Sequence, residues 1–318
     1  MRSLVTGGAG FIGSHLVDAL LAAGHEVLVL DDLSSGTPEN LSDALQAGAS
    51  LREADVSDWE AVGPAFESFK PEAVFHLAAQ IDVRRSMANP GLDARLNVVG
   101  TLNVLEATVR AGARRFLFTS TGGAIYGEGQ GREDELPFAE TARCEPTSVY
   151  GQSKLAAEGY LELYRRGRGL SSAALRLGNV YGPRQNPALE SGVVAIFCDL
   201  AREEGVPTIF GDGRQTRDYV YVGDVISALL AAVDSEGGGS FNVATGVETS
   251  VLALAESIGR LTGRDDFGPK FEASREGEVQ RIYLDVSRIN AELGWRAARD
   301  LDAGLRLTLG EDQRAAAS

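Results

Sequence analysis

Along the first half of the chain, short continuous apolar runs alternate with longer stretches whose apolar residues recur at helical spacing. "RSLVTG" is followed by the amphipathic "FIGSHLVDALLAAG" and then by "EVLVLDD". The cycle repeats with "AVFHLAA", a helical stretch through "NVVGTLNVLEATVRAG", and "RRFLFTS". A further helix around "SVYGQSKLAAEGYLELYRRG" precedes the strand "SSAALRLGNV". Strands apolar on both faces and separated by helices predict an α/β fold with a doubly wound parallel sheet, covered on both sides. After about residue 180 Pro and Gly become frequent ("YGPRQNP", "EGVPTIFGDG", "DFGPKF") and the segments shorten. The pattern predicts a first domain over 1–178 and a smaller mixed α/β C-terminal lobe over 179–318. "DVISALLAAV" and "SFNVA" look like one more helix–strand pair, so elements near 219–243 are expected to return to the first sheet.

Charge narrows the partners. A net charge of −15 and a pI near 4.7 argue against nucleic acid and anionic membranes. An anionic ligand would have to be met by local arginines. Cys144 and Cys198 form no CxxC pair, and His15, His25 and His76 have no metal-ligand spacing. No metal is expected. There is no leader-like N-terminus and no run of roughly 18 apolar residues. The expected setting is a reducing cytoplasm.

The first strand–helix junction, "VTGGAGFIGSHL", carries chemistry. Gly8, Gly10 and Gly13 satisfy G-x-G-x-x-G, and Gly7, Gly10 and Gly13 give G-x-x-G-x-x-G. Glycines let the backbone turn sharply and approach a pyrophosphate at a helix N-terminus, where free N–H groups favour anions. The second strand ends in Asp31-Asp32, at the right distance for a carboxylate on a ribose 2′-OH. Leu33, Ser34, Ser35 and Gly36 offer no cation for a 2′-phosphate, which selects NAD over NADP. Asp55, in "READVSD", fits either an acceptor for the adenine amine or a simple turn or cap.

The second chemical signal is "YGQSK". Only three lysines occur, Lys70, Lys154 and Lys270, against 27 arginines. Lys154 stands four residues after Tyr150, so both share one helix face. A phenol of pKa about 10 is a poor base at neutral pH, and a nearby ammonium favours its phenolate. With eight tyrosines, such a pair arises by chance in fewer than about one in ten such chains.

The combination of "LVTGGAGFIGSHL", "HLAAQIDV", "NVVGTLNVLEA", "FTSTGGAIYGE", "YGQSK", "LRLGNVYGPRQ", "TRDYVYVGDV" and "YLDVSRINAELGW" resembles the extended short-chain dehydrogenase/reductases. Among them it is most similar to nucleotide-sugar 4-epimerases of the UDP-glucose 4-epimerase type. The resemblance implies a Rossmann-type NAD-binding domain. Its cofactor contacts fall on Gly7, Gly10, Phe11, Ile12, Gly13, Asp31, Asp32, Ser35, Asp55, Val56, Leu77, Ala78, Ala79, Asn97, Tyr150 and Lys154. It implies Tyr150 as the base, Lys154 as its charge partner, and a Ser or Thr beside the sugar oxygen. Thr121 matches that position, with Ser120 the alternative. Sugar-diphosphate contacts fall on Asn179, Arg184, Val193, Phe210, Arg217 and Arg275, the last two as the pyrophosphate clamp. Asp218 and Asp224 read as structural.

By the same resemblance the sugar 4-OH is oxidised, the 4-keto sugar turns its other face, and re-reduction inverts C4. Related 4,6-dehydratases carry acids after the Thr, whereas this chain has Gly122-Gly123. The expected activity is therefore 4-epimerisation of UDP-glucose/UDP-galactose. The alternatives are the UDP-glucuronate/UDP-galacturonate pair, a 4,6-dehydratase, or an inactive NAD sensor. Arg184 followed by neutral Asn186 leans towards neutral hexoses, and the bulk of Ile282 leans against N-acetyl sugars. Neither distinguishes UDP from dTDP. Family members pair through helices near 92–112 and 148–168, so a homodimer is expected.

Overall fold

A computed structural model describes residues 1–188, 192–275 and 277–310. The strands are β1 (Arg2–Thr6), β2 (Glu26–Asp31), β3 (Ser50–Glu53), β4 (Ala73–His76), β5 (Arg115–Thr121), β6 (Ser172–Leu177), β7 (Asn179–Tyr181), β8 (Thr208–Phe210), β9 (Thr216–Arg217), β10 (Tyr219–Tyr221), β11 (Gly239–Val243), β12 (Thr249–Ser250) and β13 (Lys270–Glu272). Seven of them form one Rossmann-type sheet in the order β11-β6-β5-β4-β1-β2-β3. The pairs β1–β2, β1–β4, β2–β3 and β4–β5 are parallel. The chain leaves β1 towards β2 on one side and later places β4 on the other. This reversal opens a crevice at the carboxyl ends of β1 and β4, where open α/β sheets bind ligands.

The described residues divide into two compact units. The first comprises Met1–Thr121, Ser148–Arg176 and Ile226–Phe241. The second comprises Gly122–Thr147, Leu177–Val225 and the described residues from Asn242 onward. Residues 122–147 are thus an excursion that a single boundary near 178 leaves out. Each unit has its own apolar cluster. Leu4, Val74, Phe66, Val104, Phe116 and Ala157 pack in the first; Tyr181, Phe197, Ile209, Leu254, Phe267 and Leu305 pack in the second. Burying each large side chain of this kind contributes about 1.5–3 kcal/mol.

Two expected elements are subdivided. The strand over "SSAALRLGNV" breaks at Gly178, where any Cβ would lie 2.8 Å from the Asp218 carbonyl oxygen. β7 then pairs in parallel with β10. The helix expected over about 92–112 comprises a short α-turn, Pro90–Ala94, a π-helical turn, Arg95–Val99, and the helix Gly100–Ala111. A π-turn carries i→i+5 bonding and often marks a functional position; here it holds Asn97.

Candidate active site

The glycine turn is built for close backbone approach. Gly7 adopts φ +69°, and a Cβ there would lie 2.6 Å from the Ala78 nitrogen. At Gly13 a Cβ would collide with the Gly7 carbonyl, so the first turn of the Phe11–Ala22 helix could not close on the strand. Thr6 ties this turn to the end of β4: its hydroxyl accepts from the Leu77 and Ala78 N–H groups at 3.2 Å each. Leu77, Ala78 and Ala79 remain half-buried beside it. A cradle of this shape, with backbone N–H groups at a helix N-terminus, fits a dinucleotide pyrophosphate.

The paired aspartates separate into two roles. Asp31 is buried, and its carboxylate accepts Ala9 N at 2.8 Å and Leu33 N at 2.9 Å. It therefore braces the glycine turn, while its remaining lone pairs stay available for a ribose hydroxyl. Burial pushes its pKa up and these two N–H bonds oppose the shift. Asp32 is exposed and accepts Ser34 N at 3.0 Å. Asp55 accepts Ser57 N at 2.7 Å and faces Arg95 at 3.8 Å, the turn role left open by the sequence.

Tyr150 and Lys154 lie on the helix Val149–Arg168. Ser148 caps it by accepting Gly151 N at 3.1 Å, and Gly169 ends it in the left-handed conformation, φ +67°. Ser86 supplies a second cap, its hydroxyl accepting Tyr150 N at 3.1 Å. The Lys154 side chain is 3% exposed, donates to the Thr119 carbonyl at 2.9 Å, and stands 4.6 Å from the centroid of Phe118. Burial lowers its pKa to about 8, while Asp93 and Glu158 act to raise it. The Tyr150 phenol is pushed up to about 12, first by burial; the hydrogen bond with Thr121 pulls it down and Asp93 pushes it up. Thr121 therefore meets the tyrosine. The Ser120 hydroxyl is buried and has no partner among the described residues.

Below this pair lies a polar layer of which the sequence reading named only Asn97 for the site. His76 is buried, with Nδ1 2.7 Å from the Thr6 hydroxyl and Nε2 2.9 Å from the Thr101 hydroxyl. Burial, with Lys154 nearby, lowers its pKa to about 3. Asn97 accepts Gln80 N at 2.8 Å and donates to Gln80 O at 2.9 Å, pinning the segment after β4. The Gln in "HLAAQ" and the Asp in "GLDARLN" were the available signals for this layer, but neither has a spacing that announces it.

In the second unit, the Arg275 guanidinium lies 3.8 Å from the Phe210 ring centroid. Arg217 donates to Thr216 O at 2.8 Å and approaches Glu278 at 3.6 Å. Asn179 N donates to the Asp218 carbonyl at 2.7 Å, and Val193 opens the helix Val193–Arg202. Arg184 is exposed with φ +65°. Gly122 is buried against Leu284, whose side chain fills the space a Cβ would need, so an acid at 122 would have to displace it. Asp218 accepts from Thr245, Gly246 and Leu284, while Asp224 pairs with Arg299 at 2.8 Å. Both are structural. Among the described residues no group of three or more His, Cys, Asp or Glu could hold a metal, and no helix is long and apolar enough to cross a membrane.

Residues 3–244 match the model of the NAD dependent epimerase/dehydratase family. The chain belongs to that family. It is 46% identical over 311 residues, 97% of each chain, to a UDP-glucose 4-epimerase of Mycolicibacterium smegmatis. Among solved structures, the UDP-glucose 4-epimerase of Thermotoga maritima, determined with UDP-glucose, superposes with a TM-score of 0.92 at 42% identity, covering 99% of this chain and 100% of that one. The UDP-glucose 4-epimerase of Thermus thermophilus, a complex with NAD, gives 0.88 at 40% identity, with 99% and 100% covered.

Proposed function

We propose that the protein is an NAD-dependent nucleotide-sugar 4-epimerase whose substrates are UDP-glucose and UDP-galactose. The observation that carries this reading is the Tyr150–Lys154–Thr121 constellation followed by glycine, not acid, at 122 and 123. NAD, held by the glycine turn, Asp31 and Lys154, would supply hydride acceptance at sugar C4, hydride return, and a positive ring that favours phenolate. Tyr150 takes the 4-OH proton and gives it back, and Thr121 orients the sugar oxygen through its bond to the phenol. Lys154 adds a fixed charge that a solvated side chain could not match in this buried setting. Gly122 and Gly123 offer no proton donor for loss of water from C5–C6, which supports epimerisation over dehydration.

Arg217 and Arg275 hold the diphosphate by charge-assisted hydrogen bonds, and Phe210 lies near the base. Ile282, buried at 2% exposure, supports unsubstituted hexoses. The reading includes a cytoplasmic setting, consistent with Cys144 and Cys198 being in no disulfide among the described residues. It also includes a homodimer, supported by the exposed apolar side chains of Val99, Tyr160 and Leu163 on the two helical segments. The test is incubation of the purified protein, with and without added NAD, with UDP-glucose, UDP-glucuronate, UDP-N-acetylglucosamine and dTDP-glucose, following anomeric NMR signals. UDP-galactose is expected from UDP-glucose. No 4-epimer from any of the four would sink the proposal; product from UDP-glucuronate alone would move it to uronates.

A further inference from the structure

Asp93 lies in the turn Pro90–Ala94 and is 1% exposed. Its Oδ2 accepts Gln80 Nε2 at 3.1 Å and Asn97 Nδ2 at 3.2 Å. Its Oδ1 is buried and has no hydrogen-bond partner among the described residues. Two amide donors and an idle oxygen are poor compensation for a carboxylate taken out of water, which costs several kcal/mol unless an opposite charge is near. The cation whose charge state Asp93 influences is Lys154, which is also buried and hydrogen-bonds a neutral carbonyl. The two N–H groups of the same Asn97 nitrogen are shared among Gln80 O, Asp93 Oδ2 and Ser153 Oγ, the last at 3.1 Å, and Ser153 donates to the Tyr150 carbonyl at 2.9 Å. A chain of short contacts thus runs from the carboxylate into the helical turn between the two catalytic side chains.

We propose that Asp93 is a positioning residue: its carboxylate is the counter-charge of the Lys154 ammonium and, through Asn97 and Ser153, fixes the turn that presents Tyr150. The assignment rests on the epimerase reading only for the role of Tyr150 as base. The other groups facing this layer are already engaged. On the Val149–Arg168 helix, Glu158 is bonded to Arg176 at 2.7 Å, both side chains 8% exposed. On β4, His76 is buried between two hydroxyls. On and before the helix Val83–Ala88, Asp82 caps Arg85 N at 2.8 Å, and Arg84 and Arg85 are exposed. On the following turn, Arg95 faces Asp55. Glu158 acts on Lys154 as well, whereas Asp93 is the carboxylate that both Tyr150 and Lys154 register; it makes the ammonium harder to lose and the phenolate harder to form. Such a carboxylate keeps Lys154 charged in its apolar pocket at the cost of a less acidic tyrosine.

Asp93→Asn removes the charge with little change of shape, since the amide oxygen still accepts from Gln80 and Asn97. Both limbs of the pH–rate profile should move down, each by about one pH unit, because losing a negative neighbour makes both groups release protons more easily. The phenolate absorbance of the NAD-loaded protein, taken as the difference from its Tyr150→Phe counterpart, should titrate at correspondingly lower pH without any substrate. A lower rate at every pH with unmoved limbs and an unmoved phenol would overturn the proposal. A moved phenol in a protein that turns over no nucleotide sugar would uphold it while the epimerase reading falls. If Asp93→Asn is unstable, stability in a Lys154→Met background provides the second measurement. There the substitution should cost less than in the native chain, and an equal loss in both backgrounds overturns the charge pairing.

Discussion

The residues assigned to chemistry in the first unit are held differently from those assigned to binding in the second. Lys154 is 3% exposed and fixed by a carbonyl and an aromatic face, and Asp31 is locked by two N–H donors. By contrast Arg184 and Arg275 are exposed, and Arg217 bonds its neighbour's carbonyl, that of Thr216, and meets Glu278 at the longer distance of 3.6 Å. The difference follows from what each set has to do. Proton and hydride transfer depend on sub-ångström placement, which packing supplies in advance. A diphosphate is gripped by charge-assisted bonds that long guanidinium side chains can form on arrival.

The comparison breaks most visibly at Tyr150. Tyr150→Phe removes the proton acceptor while leaving the glycine turn untouched, so turnover should fall by at least about 1,000-fold while bound NAD, measured by absorbance after denaturation, stays close to native. Turnover within tenfold of native would exclude Tyr150 as the base. Lys154→Arg comes next. It preserves charge, but a planar fork does not fit a pocket made of one carbonyl and the Phe118 face, so activity should fall roughly 100-fold; near-native activity would show that charge alone suffices.

For the second unit the expected losses are smaller and of another kind. Arg217→Ala and Arg275→Ala should each weaken UDP binding by roughly 10- to 100-fold, the loss of a charge-assisted hydrogen bond of about 1.5–3 kcal/mol. Calorimetry with UDP reads this directly. KM should rise more than kcat falls; a loss confined to kcat would place these arginines in the chemistry and erase the contrast between the units.

The two sets were also unequally legible in the sequence. Gly7, Gly10, Gly13, Tyr150 and Lys154 announce themselves because their function depends on local spacing, a tight turn or one helix face. Even there, only tertiary structure shows that Asp31 braces the turn through Ala9, or that Thr121, not Ser120, meets the phenol. Ser86, Gln80, Asp93 and His76 had no spacing to announce them, because they matter through tertiary contacts: Ser86 caps Tyr150 from 64 positions away, and His76 bonds Thr6 across 70. The π-turn at Arg95–Val99 was hidden for another reason, since its apolar periodicity is nearly that of the α-helix into which it leads.

His76 gives the smallest and sharpest test, because it separates a structural contribution from the chemistry directly above it. In the unfolded chain an imidazole takes up a proton near its ordinary pKa of about 6.5. In the fold, burial and the Lys154 charge hold it neutral down to about 3. The unfolded state therefore binds the extra proton between these values, so this group's contribution to stability is fully present above about 6.5 and is lost as pH falls towards 3. The slope is about 1.4 kcal/mol per pH unit through that window. His76→Asn, which keeps a polar group between Thr6 and Thr101, should remove that slope from urea unfolding compared at pH 6 and pH 4, while carboxylates titrate alike in both proteins. Equal slopes in the native and substituted chains would mean that His76 takes its proton in the folded state too, and that the layer beneath Lys154 is open to water.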